Sequence, residues 1–236
     1  MEISKHQNKY FSILGDSIST LAGYNPPENE VFYDWANKRL AQIYAPEDTW
    51  WGKVIDACGG RLLVNNSWSG SLVCKHPDCE IESYGCSDSR TGGLGIGAQT
   101  PDVVMIFMGL NDFGWAMRPA PAAGEDGLSV FSVAYHTMLE KIKTNYPKAE
   151  IWCLTLPVGV RSDYPEDRPP LIRGGWHLKE YCHIIASCAA EHGCRVLDLY
   201  GPDRPYSSMD GYHPTASGMQ TIADCVLTQV ERWCRL

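Results

Sequence analysis

Four short segments of this 236-residue chain carry residue types suited to acyl transfer: Gly15-Asp16-Ser17, Ser67-Trp68-Ser69-Gly70, Gly109-Leu110-Asn111-Asp112 and Asp210-Gly211-Tyr212-His213. A serine hydroxyl is a weak nucleophile near neutral pH and attacks an ester only when a base removes its proton. His213 is the candidate base. Asp210, three residues earlier in a turn, can hold the other imidazole nitrogen and fix the tautomer. The tetrahedral oxyanion needs hydrogen-bond donors, and the backbone N–H groups of Ser17 and Gly70 with the side-chain amide of Asn111 are the candidates. Each residue has a plainer reading by itself: Ser17 as a helix cap, Asp210 as a turn brace. Together they leave unexplained why a serine, an amide and an Asp-x-x-His stand at separate strand ends, so catalysis is the better account. Asp112 is expected to brace the loop beside Asn111.

The other histidines compete poorly for the base role. His136, His183 and His192 fall inside helical patterns, where packed or solvated histidines are ordinary. His6 precedes the first strand, at the opposite edge from the site, and His177 opens a helix.

The elements that must position these groups follow from hydrophobic periodicity. Short β-rich runs at Tyr10 to Leu14, Leu62 to Asn65, Val103 to Met108, Glu150 to Thr155 and Arg195 to Asp198 alternate with helical patterns. The helices are expected at Thr49 to Cys58, Ser129 to Asn145, Trp176 to His192 and Thr215 to Trp233. This alternation is the signature of an α/β fold with one mostly parallel, five-stranded sheet. The third strand is apolar throughout, as a central strand covered on both faces must be. Irregular stretches at 21–48, 71–100, 111–128 and 157–175 each follow a strand or strand-end motif. In a doubly wound sheet they gather at the carboxyl edge, which predicts one crevice roofed by loops. With no internal repeat and no linker, residues 1–236 are expected to form a single domain.

In order and over almost the whole chain, the four segments resemble the conserved blocks of the SGNH (GDSL-type) hydrolase superfamily, and its carbohydrate O-acetylesterase members in particular. Gly15 to Ser17 resembles the nucleophile block, Gly70 the glycine block, Gly109 to Asp112 the GxND block and Asp210 to His213 the DxxH block. Two departures are mild: the first block reads GDSIS where many members read GDSL, and Gly70 lies in NNSWSGS. The resemblance implies a flavodoxin-like three-layer α/β/α fold and ester hydrolysis without a metal or organic cofactor.

Trp68, Trp115, Tyr33 and Trp35 lie close in sequence to the candidate site residues, and Trp and Tyr suit sugar rings with their apolar bodies and polar tips. A long acyl chain would ask for a wide apolar groove or an amphipathic lid, and no basic amphipathic helix is evident. The expected substrate is therefore a small acyl ester, acetyl foremost, on a sugar or oligosaccharide. Lysophospholipase or thioesterase activity is the alternative within the enzyme class; a catalytically idle glycan binder is the alternative outside it.

Composition narrows the partners. The chain carries 20 Lys+Arg against 28 Asp+Glu, a formal net charge of −8, without a basic cluster, so a nucleic-acid backbone is not an expected partner. The longest apolar run, Asp102 to Leu110, is far short of the roughly 18 residues of a membrane helix, so no membrane partner is expected either. A charged amino terminus, MEISKHQNKYFSILGDS, points to a cytoplasmic protein. The 10 cysteines are then expected as free thiols. Cys74, His76, Cys79 and Cys86 lack paired CxxC spacing, so zinc is not expected.

Overall fold

A computed structural model describes residues 4–76, 82–122, 127–166, 168–201 and 203–234. In chain order its elements are β1 (Tyr10–Gly15), α1 (Trp35–Ala41), α2 (Trp50–Ala57), β2 (Arg61–Ser67), α3 (Asp88–Gly92), β3 (Val103–Phe107), α4 (Leu110–Gly114) and α5 (Phe131–Asn145), followed by β4 (Glu150–Leu154), β5 (Gly159–Arg161), β6 (Ile172–Arg173), β7 (Trp176–His177), α6 (Leu178–Glu191), β8 (Arg195–Leu197), β9 (Tyr206–Ser208) and α7 (Ala216–Cys234). The five expected strands are present, and they form one parallel sheet in the order β2-β1-β3-β4-β8. That is the flavodoxin-like order. The strand order reverses between β1 and β3, and ligands of such sheets bind outside the strand ends at that point.

Register places the reversal. Gly15 pairs with Ser67 on one side and with Phe107 on the other, so β1, β2 and β3 end level. The segments holding Ser17, Gly70 and Asn111 thus leave the sheet from one edge. All five residues of β3 are buried, as its unbroken apolar run requires. Helices α2 and α7 pack together, as do α5 with α3 and α6. Thr49 caps α2 by accepting the Gly52 N–H, and the apolar face of this helix brings Trp50 edge-on to Phe107 at 5.5 Å.

The structure adds what periodicity did not show. Asp34 caps α1, accepting the N–H groups of Ala36 and Asn37, inside a stretch read as irregular. The helix expected from Trp176 begins at Leu178, because Trp176 and His177 pair with Arg173 and Ile172 in a hairpin. His177 is the cap of α6: its Nδ1 accepts the Lys179 N–H, while Glu180 accepts the His177 N–H at 2.7 Å. Strands β5 and β9 form a separate parallel pair.

Nine described cysteines are free thiols, six of them buried. Cys79 lies outside the described residues, and among the described residues no group of three or more His, Cys, Asp or Glu side chains is placed to hold a metal ion. No described helix is long and apolar enough to cross a membrane.

Candidate active site

Ser17 opens a 3₁₀ turn directly after β1, and Asp16 caps that turn by accepting the Ile18 N–H at 3.0 Å. The turn is tight against β2. A Cβ on Gly15 would come within 2.6 Å of Ser19 Cβ and Ser67 Oγ, so glycine is the residue that fits. Burial drives the Asp16 carboxyl up to about 6, opposed by the Ile18 N–H and by electrostatic interaction with His213 and Arg90.

From the other end of the chain, the turn before α7 delivers His213. Its Nε2 lies 2.9 Å from Ser17 Oγ, and its Nδ1 lies 2.6 Å from Asp210 Oδ2. Asp210 Oδ1 accepts the N–H groups of Tyr212 at 2.9 Å and His213 at 2.8 Å. An ionised carboxylate on Nδ1 keeps that nitrogen protonated, leaving Nε2 to accept the serine proton. Partial burial pushes the Asp210 pKa up, but the His213 ring and the two backbone N–H groups outweigh it and bring it down to about 2.

Two residues that sequence reasoning did not assign to this task hold the histidine. Phe32 lies flat on the imidazole, with ring centroids 3.4 Å apart and planes 6° from parallel. Tyr33 is fully buried, and its hydroxyl donates to the Pro214 carbonyl at 2.8 Å. Tyr33 is therefore not a substrate-binding aromatic: its ring is in the core and its hydroxyl anchors the histidine loop. Trp35 also departs from expectation. It is 78% exposed on α1 beside Arg39 and does not line the crevice. The only sequence signal for Phe32 was its place in the insert after Ser17.

Asn111 sits in the first turn of α4, and its Nδ2 donates to the Ser71 carbonyl at 3.0 Å, which leaves a second N–H. Gly70 is one residue away, exposed, with φ 76°; no atom crowds a Cβ there, so the left-handed backbone is what favours glycine. Neither Gly70 nor Trp68 lines the crevice; Trp68 is half-buried and donates its N–H to the Gly15 carbonyl. Asp112 braces the loop as expected, accepting the N–H groups of Val73 at 2.8 Å and Cys74 at 2.9 Å.

Arg90 underlies the site. Fully buried, it donates through Nη2 to the carbonyls of Gly15 and Asn66, both at 2.9 Å, and through Nη1 to Ser71 Oγ and the Ser83 carbonyl. One side chain thus ties the ends of β1 and β2 to the turn beside Asn111. Burial lowers its pKa to about 9, with the Asp16 charge opposing. Nothing in its local sequence marked it.

Ser17, Asn111, Trp115, Arg173, Tyr212 and His213 are among the residues lining a crevice of about 260 Å³. A larger hollow of about 450 Å³, bounded by Asp198, Arg204, Asp224 and Arg232, contains none of the four segments.

A flavodoxin-like sheet carrying a hydrogen-bonded serine, histidine and carboxylate outside its switch point is the framework of an SGNH-type hydrolase. The chain belongs to the GDSL-like lipase/acylhydrolase family, whose model matches residues 9–167. Among solved structures it is similar to a protein from Bacteroides uniformis ATCC 8492 described as GDSL-like lipase, with 30% identity, 95% of this chain and 96% of that chain covered, and a TM-score of 0.70. A second, from Bacteroides ovatus ATCC 8483, has 25% identity, 96% and 99% coverage and a TM-score of 0.72. Est24, a carbohydrate acetylesterase from Sinorhizobium meliloti, shares the fold at 14% identity, 96% and 100% coverage and a TM-score of 0.63. No curated protein matches the chain.

Proposed function

We propose that the protein is a single-domain serine esterase that removes small acyl groups, acetyl foremost, from a sugar or oligosaccharide. The observation that carries this reading is the unbroken hydrogen-bonded line Ser17–His213–Asp210 at the crevice. Ser17 Oγ attacks the ester carbonyl while His213 Nε2 takes its proton, and Asp210 stabilises the imidazolium so formed. The Ser17 N–H and the remaining N–H of Asn111, both on residues that line the crevice, receive the oxyanion. Collapse returns the proton to the leaving alcohol; water then repeats the sequence on the acyl-serine and frees the acid.

The small acyl group is supported by the size of the crevice, which is below the roughly 300–1,000 Å³ of sites for drug-sized ligands. Trp115, 65% exposed in its lining, offers a flat apolar face of the kind that sugar rings stack on. The likeness to Est24 agrees with this substrate class.

A p-nitrophenyl ester series tests the acyl preference: kcat/KM should be highest for acetate and fall with each lengthening of the chain. A maximum at octanoate or beyond would favour a lipase or thioesterase. Acetate release from acetylated oligosaccharides then tests the alcohol.

Asn111→Ala should lower kcat by about 10²- to 10³-fold with little change in KM, because an oxyanion donor acts on the transition state. A change confined to KM would instead make Asn111 a ground-state binding group.

A further inference from the structure

Arg173 lines the crevice without an anion to pair with among the described residues. Its Nη2 donates to the Tyr212 hydroxyl at 2.9 Å, its Nε is buried without a hydrogen-bond partner, and no carboxylate among the described residues forms an ion pair with it. A guanidinium has five donors in a planar fork, so most of its donor capacity is unused here. Leaving such a group partly desolvated and unsatisfied costs free energy that a bound anion would recover.

The side chain is also held in place from both ends. It stands on β6, whose two-residue turn into β7, Gly174-Gly175, has positive φ at both positions, 54° and 87°. That is the requirement of a tight hairpin turn of type I′. A Cβ on Gly174 would lie 2.5 Å from the Ala116 Cβ, so the hairpin tip rests on the turn that carries Trp115. At its far end, Arg173 is fixed by Tyr212, the neighbour of His213.

Resting on the esterase reading above, we propose that Arg173 recognises a carboxylate on the alcohol portion of the substrate, which makes the preferred substrate a small acyl ester of an acidic sugar or similar hydroxy acid. The placement decides the side. The base that protonates the leaving alcohol is His213, and Arg173 reaches the crevice through the residue next to it. The Arg fork matches a carboxylate in a two-point, charge-assisted hydrogen bond. Trp115 would face the body of the same alcohol.

Aryl acetates matched in shape but differing in charge test this. The 3- and 4-acetoxybenzoates should be cleaved by the wild type with a kcat/KM about tenfold or more above the corresponding acetoxybenzamides, after division by their alkaline hydrolysis rates. Arg173→Gln should bring that ratio to about one through a rise in KM for the carboxylates, and Arg173→Lys should keep part of it. A purely structural Arg173 would lower carboxylate and carboxamide turnover together and leave the ratio intact, which would overturn the proposal. Titration calorimetry of glucuronate against glucuronamide supplies an arm independent of turnover. Tighter glucuronate binding to the wild type than to Arg173→Gln supports the anion site, and equal binding with an equal kinetic ratio refutes it. If every acetate is inert, the esterase reading falls and the calorimetric arm alone decides the anion site.

Discussion

Ser17→Ala is expected to leave a folded protein whose kcat has fallen by about 10⁶-fold, the loss seen when the nucleophile of a cooperating triad is removed. The side-chain hydroxyl has one described partner, the His213 ring, while the hydrogen bonds that shape the turn run through Asp16 and the Ser17 carbonyl. Truncation therefore removes the reacting atom and leaves the Thr20 contacts with that carbonyl in place. Circular dichroism and thermal unfolding should match the wild type. An organophosphate should label the wild type at Ser17, read by peptide mass spectrometry, and should fail to label the variant. Near wild-type hydrolysis by Ser17→Ala, or an adduct on another serine, would remove the assignment.

Asp210→Asn should cost about 10⁴-fold in kcat with the fold intact, as an amide facing Nδ1 makes the wrong tautomer accessible. The variant retains an oxygen able to accept the Tyr212 and His213 N–H groups, so the turn should survive. The pH profile separates the two partners. Because Asp210 titrates at about 2, lowered from 3.8, it is already ionised across the range from about pH 5 to 8. An acid limb there does not report protonation of Asp210, whereas the Asp16 carboxyl, raised by burial to about 6 beside Ser17, does titrate inside that range. Any stability that this depressed carboxylate contributes is present above its ordinary value and is lost only as pH falls toward 2. A flat profile over that range, together with a fully active Asp210→Asn, would show that the Asp-x-x-His segment is not the proton relay.

What was legible in the chain depended on how far each interaction reaches along it. The sheet strands were readable because burial on both faces leaves local runs such as Val103 to Phe107, and strand ends then located Ser17 and Asn111. Asp210 and His213 were readable because their hydrogen bond spans three residues. The support structure was not. Phe32 meets His213 across most of the chain, and Arg90 works through backbone carbonyls of two strands, a role that no local pattern records. Tyr33 and Trp35 were misplaced for the same reason: an aromatic near a strand end can face the crevice, the core or solvent, and only packing decides which. The helix boundary at Trp176 failed because hairpin pairing of two residues overrode a helical pattern.

The Ser17–His213 hydrogen bond joins residues 196 positions apart. Loop closure over such a separation costs more than closure of a local turn, and contacts of this range slow folding. The sheet core and the Asn111 turn involve residues made well before His213, so during synthesis the scaffold has its parts before the relay has its base. A nascent or carboxyl-truncated chain lacking the last 24 residues ends before His213 and has no base to offer Ser17. On the esterase reading, turnover would thus report the arrival of the Asp210–His213 turn and not merely collapse of the sheet.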